Sequence, residues 1–290
     1  MQFNPEITNV LRDLLPWAGE LFKLLTQLGS ELFYVPLALV GYWAYRKRES
    51  VIVVFVLLTS IVTNYWLKVA IHSPRPPQSY WYPGASEANY GMPSGHAQNS
   101  TMLFGWLAAR VKTWWAVILA VTLTLLIGVS RVYLGLHFVE DVLVGWAVGF
   151  GLLLLSIRIE RPLQALLSKY DTNALYGVLF VIGLLMTVVG TYVLLPLPPD
   201  DNFGHIGGLV MGVAVAFPLE RRYVNFTTEA TAKWRLVLRV VLGLALVIVV
   251  MIGLSPLLPT ADVWLRATRY FIVALIGGFV WPLIFSKAKL

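Results

Sequence analysis

The chain has no cysteine among its 290 residues. That absence removes disulfides, thiol nucleophiles and cysteine-based metal sites together. Charge is scarce as well. Asp, Glu, Lys and Arg make up 13% of the chain, against about 25% in an ordinary soluble domain. Hydrophobic residues reach 58%, above the about 45–50% of soluble chains, and the mean hydropathy is +0.73. So little polar surface cannot cover a globule, which excludes a soluble or disordered protein. Low-complexity segments and internal repeats are also missing. What remains is an all-α polytopic membrane protein with the lipid bilayer as its surroundings. The net charge is +7. In such a chain Lys and Arg mark cytoplasmic loops, so no nucleic-acid partner is expected.

Residues 6–28 place Ile7, Val10, Leu11, Leu14, Leu15 and Ala18 at helical spacing, with Arg12, Asp13, Glu20 and Lys23 between them. The pattern predicts an amphipathic helix lying in the membrane interface, a short transmembrane helix being the lesser option. The same charges interrupt the apolar core that a cleavable signal peptide requires. Nine apolar runs follow, at 31–45, 51–70, 96–110, 114–131, 138–157, 173–195, 204–219, 236–255 and 267–285. Several approach the ~20 residues that cross the hydrocarbon layer. The longest polar break is 71–95, and a second break of interest is 131–138.

If the nine runs alternate in direction, 14 of the 22 basic residues fall on one face, among them Arg46, Lys47, Arg48, Arg110, Arg158, Arg221, Arg222, Lys233 and Lys287. Seven fall on the other face: Arg12, Lys23, Lys68, Arg75, Arg131, Arg266 and Arg269. The richer face is expected to be cytoplasmic. The breaks 71–95 and 131–138 then face outward from a cell inner (plasma) membrane.

Three clusters of polar residues sit on that outward side. The first is Lys68, then Arg75-Pro76; the second is Pro93-Ser94-Gly95-His96; the third is Ser130-Arg131, His137 and Asp141. Ionisable groups near membrane depth are costly and tend to serve function. Arg offers a planar fork to phosphate oxygens and Lys a point charge. Ser94 and Gly95 precede an apolar helical run, so backbone N–H groups there are open to an anion, and Gly lets an oxygen come close. His137 and Asp141 are four residues apart, a spacing that shares a helix face. An Asp so placed fixes the tautomer of an imidazole and stabilises its charged form. Two histidines around an anion cradle suggest a nucleophile and a general acid.

Each cluster taken alone has a plainer reading. Lys68 and Arg75 are also a snorkelling pair at a helix end. Pro-Ser-Gly-His is also a helix cap, and His137 with Asp141 is also a structural hydrogen bond or half of a metal site. A zinc site needs further ligands that the cluster does not supply. Trp66, Tyr80, Trp81, Tyr82 and Tyr90 read first as an interfacial aromatic belt, and second as a wall guiding a lipid headgroup. Asn64 reads as a helix–helix hydrogen-bonding group, His72 as an exposed loop histidine, and Asp200, Asp201 and His205 as a solvated loop and helix start rather than a metal site. Gly208 and Gly212 read as close helix packing.

Taken jointly, the clusters resemble the three signature motifs of the type 2 phosphatidic acid phosphatase (PAP2) superfamily. Its members are integral-membrane lipid phosphatases related to vanadium haloperoxidases, with bacterial members of undecaprenyl-diphosphatase and phosphatidylglycerophosphatase type. The resemblance covers about residues 50–157 and holds at Lys68, Arg75, Pro76, Pro93, Ser94, Gly95, His96, Ser130, Arg131, His137 and Asp141. It implies that His137 attacks phosphorus, that Asp141 orients it, and that His96 protonates the leaving oxygen. It implies phosphate binding by Lys68, Arg75, Ser94, Gly95 and Arg131, with no metal and no other cofactor. The family core is a six-helix bundle, so the 6–28 helix is a candidate for its sixth member. The implied division is an N-terminal interfacial helix at 1–30, a PAP2-type catalytic membrane domain at 31–170 and a C-terminal transmembrane extension of about four helices at 171–290.

The expected activity is hydrolysis of a membrane lipid phosphate or polyprenyl diphosphate at the extracytoplasmic face through a phosphohistidine. That face favours an undecaprenyl-type diphosphate, with phosphatidic acid, phosphatidylglycerophosphate and sphingoid phosphates also open. The alternatives are a lipid phosphotransferase on the same fold and a non-catalytic lipid transporter or binding protein. The sequence assigns no oligomeric state.

The charge split makes a direct prediction. Ser79→Cys and Ala85→Cys should be labelled from outside intact cells or spheroplasts by an impermeant thiol reagent, and Thr228→Cys only after membrane disruption. The chain's own cysteine background is nil. The reverse pattern would turn the catalytic breaks toward the cytoplasm.

Overall fold

Long apolar runs in a bilayer leave the backbone no water to bond, so they close their hydrogen bonds internally as helices. The structure, a computed structural model, describes residues 4–192, 203–228, 232–259 and 261–290. Every regular element among them is helical. Helices α1 (Ile7–Leu14) and α2 (Gly19–Gln27) are followed by α3 (Glu31–Val40), which runs into a π-helical turn at Gly41–Tyr45. Then come α4 (Lys47–Ile71), α5 (Gly95–Val111), α6 (Trp114–Tyr133) and α7 (Val139–Leu167). The chain continues with α8 (Thr172–Tyr192), α9 (Phe203–Tyr223), α10 (Lys233–Leu254), α11 (Val263–Leu275), a second π-helical turn at Ile276–Val280, and α12 (Trp281–Lys287).

Seven helices among the described residues are long and apolar enough to cross a membrane. Four of these belong to the stretch after residue 171, as the sequence predicts. An eighth is reached if Gly19–Gln27 and Glu31–Tyr45, bent by 43°, count as one broken span. The expected nine are therefore not all met by length and hydropathy. Helix α5 is the main difference, being 17 residues long with His96, Gln98, Asn99, Ser100 and Thr101 in its first two turns. Gln98 and Asn99 bond to Asn64 and Ser60 of α4, while Ser100 and Thr101 bond back to the Ala97 carbonyl of their own helix. The expected single helix at 6–28 is also two helices. Pro16 cannot continue a helix and disfavours helical backbone in the residue before it, and α1 stops at Leu14.

The chain forms two compact units. The first comprises residues 1–35 and 55–160. In it α1, α2 and α5 all pack on α6. Ala18 and Phe22 of α2 cluster with Tyr133, Leu134 and Leu136 at the end of α6. The Phe22 and Tyr133 rings lie 4.7 Å apart. Helix α7 approaches α5 along a glycine seam. A Cβ on Gly145 would fall 2.7 Å from Ser94 O, and one on Gly149 would fall 2.5 Å from Gln98 O. This close approach brings the start of α7, with Asp141, against the turn that opens α5.

A network of buried polar groups joins α4 to α5 in this unit. Asn64 Nδ2 donates to Pro93 O at 3.2 Å and to Gln98 Oε1 at 2.9 Å. Gln98 Nε2 donates to Ser60 O at 2.8 Å, and Ser60 Oγ donates to Asn99 Oδ1 at 2.7 Å. Asn64 is thus a helix–helix group that also holds the Pro93 carbonyl beside the second motif.

The second unit comprises residues 36–54 and 161–290. Its centre is α9, which packs against α8 and α11 and buries nearly its whole length. Small residues make this possible. A Cβ on Gly207 would meet Thr187 Oγ1 at 2.1 Å, one on Gly208 would meet Ala267 O at 2.1 Å, and one on Gly212 would meet Ala274 Cβ at 2.6 Å. The two π-helical turns meet here: Trp43 Nε1 donates to Gly277 O at 2.9 Å and Tyr42 Oη to Gly278 O at 3.3 Å. Buried Glu220 pairs with Lys47 at 2.7 Å. His205 is buried with its ring on Tyr270, whereas Asp200 and Asp201 lie outside the described residues.

The packing predicts unequal responses to the same substitution. Gly208→Ala must push α9 from α11, because its methyl would meet backbone, and should cost roughly 1–3 kcal/mol in detergent unfolding. Gly177→Ala, where a Cβ meets nothing within 4 Å, should be neutral or slightly stabilising. Thermal unfolding of the two purified variants checks this, and equal midpoints would refute the close α9–α11 contact.

Candidate active site

All the residues singled out by the three sequence clusters lie in the first unit. The last turn of α4 presents Lys68, which is buried. Its Nζ donates to Gly91 O at 3.2 Å and to Tyr90 O. Lys68 therefore holds the strand of loop just ahead of the second motif. Gly91 has no room for a side chain, since a Cβ there would lie 2.8 Å from Pro74 O and 2.9 Å from Asp141 Oδ2.

Arg75 joins the first loop to the third motif. Its Nη1 donates to Leu136 O at 2.8 Å and to His137 Nε2 at 3.0 Å. Its Nε and Nη2 donate to Asn89, and Nη2 lies 3.5 Å from Glu87 Oε2. His137 sits two residues before α7 begins, so it meets Asp141 across the helix start, not along a finished helix face. His137 Nδ1 is 3.2 Å from Asp141 Oδ2, and that oxygen also accepts from Phe138 N at 3.1 Å. A carboxylate on Nδ1 and a guanidinium donor on Nε2 together select one tautomer: Nδ1 carries the proton and Nε2 the free lone pair. Both side chains are almost fully buried.

Ser94 caps the opening of α5. Its N–H donates to Asp141 O at 2.9 Å, which ties the second motif to the third. Its buried Oγ has no hydrogen-bond partner among the described residues, and the same holds for Arg131 Nε and Asp141 Oδ1. Buried polar atoms are nearly always paired, so a cluster of unpaired ones marks a place built to meet something else. Gly95 starts α5, where a Cβ would come within 3.1 Å of Asn64 Oδ1. His96 follows and packs beside Gly29, at the end of α2. Arg131, in the last turn of α6, donates from Nη1 to Thr26 Oγ1 at 3.0 Å and from Nη2 to Glu87 Oε1.

The structure thus brings together Lys68, Arg75, Ser94, Gly95, Arg131, His137 and Asp141 through direct contacts or shared partners. His96 joins them at the α5 opening. Two contributors were not anticipated. Thr26 comes from a helix that reads as a simple anchor, and nothing in its local sequence distinguishes it. Glu87 did leave a signal: it is the one acidic residue between Glu49 and Glu140, set among three cations. His72 is exposed, with its ring against Tyr90. Trp81 and Tyr82 pack on the Phe22–Tyr133 cluster, and Trp66 is exposed on α4. Among the described residues no three His, Asp or Glu side chains are grouped to hold a metal ion.

The loop groups are electrostatically tuned. Burial lowers Arg75 to about 10, with Glu87 opposing and Arg131 adding to the effect. Burial alone would raise Glu87, but Arg131 and Arg75 override it and hold the carboxyl down at about 2. Burial, reinforced by Arg75, Arg131 and Lys68, pushes His137 well below the ordinary imidazole range. The site therefore keeps its arginines charged and His137 neutral at neutral pH.

Comparison with known proteins points the same way. The PAP2 superfamily matches residues 49–164, and a second family, described as a PAP2 superfamily phosphatase, transmembrane extension, matches residues 204–290. The chain is similar to phosphatidylglycerophosphatase B of Bacillus subtilis (strain 168), with 32% identity covering 53% of this chain and 81% of that protein. It is similar to human (Homo sapiens) glucose-6-phosphatase 3, with 27% identity covering 61% of each. It is also similar to an undecaprenyl-diphosphatase of Sulfolobus acidocaldarius, with 28% identity covering 54% of this chain and 79% of that protein.

The depressed His137 pKa has a measurable sign. A group whose neutral form the fold favours stays neutral as pH falls through its ordinary value of about 6.5, and takes a proton only further down. In protein labelled with ¹⁵N-histidine, His137 should keep the signature of a neutral ring protonated on Nδ1 at pH 6.5. A titration midpoint at or above 6.5, assigned with His137→Ala, would contradict the geometry.

Proposed function

This chain belongs to the PAP2 superfamily, and on that footing we propose that it hydrolyses a membrane lipid phosphate or polyprenyl diphosphate without a metal, at the extracytoplasmic face, through a phosphohistidine. The observation that carries the reading is the imidazole of His137. Its Nδ1 is held by Asp141 at 3.2 Å and its Nε2 lone pair faces the Arg75 guanidinium at 3.0 Å. A nucleophilic nitrogen is thereby aimed at the group that would hold the phosphoryl oxygens.

In the first step Nε2 forms a bond to phosphorus while the bond to the leaving oxygen breaks. His96, which burial and Arg131 hold down at about 3, must first take up a proton as the phosphoryl anion enters, and it gives that proton to the leaving oxygen. Arg75, Arg131, Lys68, Ser94 Oγ and the Gly95 N–H bind the non-bridging oxygens, whose charge shifts in the transition state. Asp141 keeps the Nδ1 proton in place and offsets the positive charge on the ring. In the second step water attacks phosphorus, His96 takes the water proton, and the bond to Nε2 breaks. The net reaction is hydrolysis, and both histidines return to their starting state.

The lipid class rests on three supports. The chain is a membrane protein, the relatives include enzymes named for phosphatidylglycerophosphate and undecaprenyl diphosphate, and the basic residues would concentrate on the face opposite the motifs if the nine apolar runs alternated. Glucose-6-phosphatase 3 shows that related chains carry names for a soluble substrate, so the decisive assay is phosphate release from a panel of lipid phosphates, diphosphates and glucose 6-phosphate. A phosphotransferase would release no phosphate without a lipid acceptor.

The two histidines should respond differently to the leaving group. General acid catalysis is typically worth ~10²–10⁴-fold. His96→Ala should cost about that much in kcat/KM on an alkyl monophosphate, which expels a poor alkoxide, and distinctly less on aryl phosphates and diphosphates. His137→Ala should abolish turnover of all three, because the covalent step is gone. Equal damage from His96→Ala on every substrate would assign His96 to phosphate binding instead.

A further inference from the structure

Glu87 stands where a phosphate would be expected to stand. Its Oε1 accepts from Arg131 Nη2 and its Oε2 lies 3.5 Å from Arg75 Nη2. Each carboxylate oxygen thus faces a different guanidinium, which is also how two oxygens of a phosphoryl group would be shared between them. Lys68, Arg75 and Arg131 carry three positive charges, and Glu87 and Asp141 supply two negative ones. Adding a dianionic phosphoryl group without moving Glu87 would crowd three acidic groups around one pair of arginines.

The local structure favours exchange. The two arginine side chains are 8% and 3% exposed, whereas Glu87 is 22% exposed. Its neighbours Ser86 and Ala88 are exposed, as are Pro83 and Gly84. Backbone hydrogen bonds secure the loop at Ala85 N to Tyr82 O and at Gly91 N to Ser73 O, both 2.9 Å, and none involves the N–H groups of residues 86–90. The carboxylate is therefore the partner that can leave, while Arg75 stays anchored by Leu136 O and Arg131 by Thr26.

We propose that Glu87 is an internal competitor for the phosphoryl site: it holds Arg75 and Arg131 between turnovers, is displaced by the substrate's phosphoryl group, and expels inorganic phosphate when it returns. This rests on the reading of Arg75 and Arg131 as phosphoryl ligands and adds to it a residue that sets affinity for substrate and product alike. A ligand that must wait for a minor, open state binds more weakly by the fraction of time that state is populated. Removing the competitor's charge should remove that handicap.

The test is calorimetric titration of inorganic phosphate into the purified full chain in one detergent, at fixed pH and ionic strength, for the parent, Glu87→Gln and Glu87→Asp. Glu87→Gln keeps the shape and should bind phosphate about tenfold tighter or more, which corresponds to an open fraction of about one in ten or less in the parent. Glu87→Asp keeps the charge and should remain within about threefold of the parent. In steady-state assays Glu87→Gln should lower KM and the phosphate inhibition constant together and lower kcat where product release limits it. A purely structural role would not tighten phosphate. Equal or weaker phosphate binding by Glu87→Gln, with binding by the parent intact, would overturn the competitor role and leave the phosphoryl site standing. Phosphate binding by the parent that is indifferent to Arg75→Ala and Arg131→Ala would overturn both.

Discussion

Three buried cations within one small site are the constraint around which this unit is organised. Lys68, Arg75 and Arg131 are drawn together by three separate pieces of chain, and like charges in a medium of low dielectric repel strongly. Removing each from water costs several kcal/mol unless hydrogen bonds and opposite charge compensate. The loop answers that cost directly. Backbone carbonyls of Tyr90, Gly91, Asn89 and Leu136 accept from Lys68 and Arg75. Glu87 bridges the two arginines. The irregular segment 72–94 owes its shape to this: it wraps so that its carbonyls point inward at Lys68 and Arg75. A regular helix there would have spent the same carbonyls on itself.

The helices supply what the loop cannot, which is a fixed distance between the motifs. Gly145 and Gly149 let α7 approach the backbone of Ser94 and Gln98. The contact is sealed by the Ser94 N–H on the Asp141 carbonyl. The backbone of Asp141 thus serves the second motif while its side chain serves His137. Any side chain on Gly145 or Gly149 would separate these elements, and the geometry at Nε2 would loosen with them. Asn64 and Gln98 extend the same logic to α4, which carries Lys68. A polar network at this depth is stabilising only when fully paired, and here each member has a partner.

Much of this is legible in the sequence because the governing signals are local. Helix runs announce themselves through hydropathy, and Arg75, His137 and Asp141 through ionisable groups in an apolar chain. Residues 96–110 show the limit of that method. Hydropathy cannot say that Gln98 and Asn99 face other helices rather than lipid, so the segment reads as an ordinary span although its first turns are polar. Pro16 was available to split the 6–28 helix, but the amphipathic period runs through it and hides the break. The partners of Glu87 and Thr26 were hidden for a different reason. They lie 44 and 105 residues away, and no periodicity encodes a contact of that range. Glu87 is nonetheless conspicuous by isolation, as the one carboxylate in a long stretch that concentrates the site's cations.

The N-terminal helices turn from accessory to component once their contacts are followed. Thr8 Oγ1 donates to Val132 O, Arg12 donates to Tyr133 O and Tyr80 O, and Tyr133 Oη donates to Leu15 O. Arg12 therefore ties the first loop to the turn of the third motif. Gly135 sits in the left-handed region at φ +72, and a Cβ there would strike Tyr80 O, so the same carbonyl is pressed from two directions. Thr26 Oγ1 then accepts a hydrogen bond from Arg131 itself. Leu14 of α1, Trp17 in the turn that follows and Leu24 of α2 are 69%, 72% and 71% exposed, as an amphipathic segment suited to a membrane interface would leave them. Helices α1 and α2 thus turn polar groups toward the three motifs and leave the apolar side chains of Leu14 and Leu24 exposed.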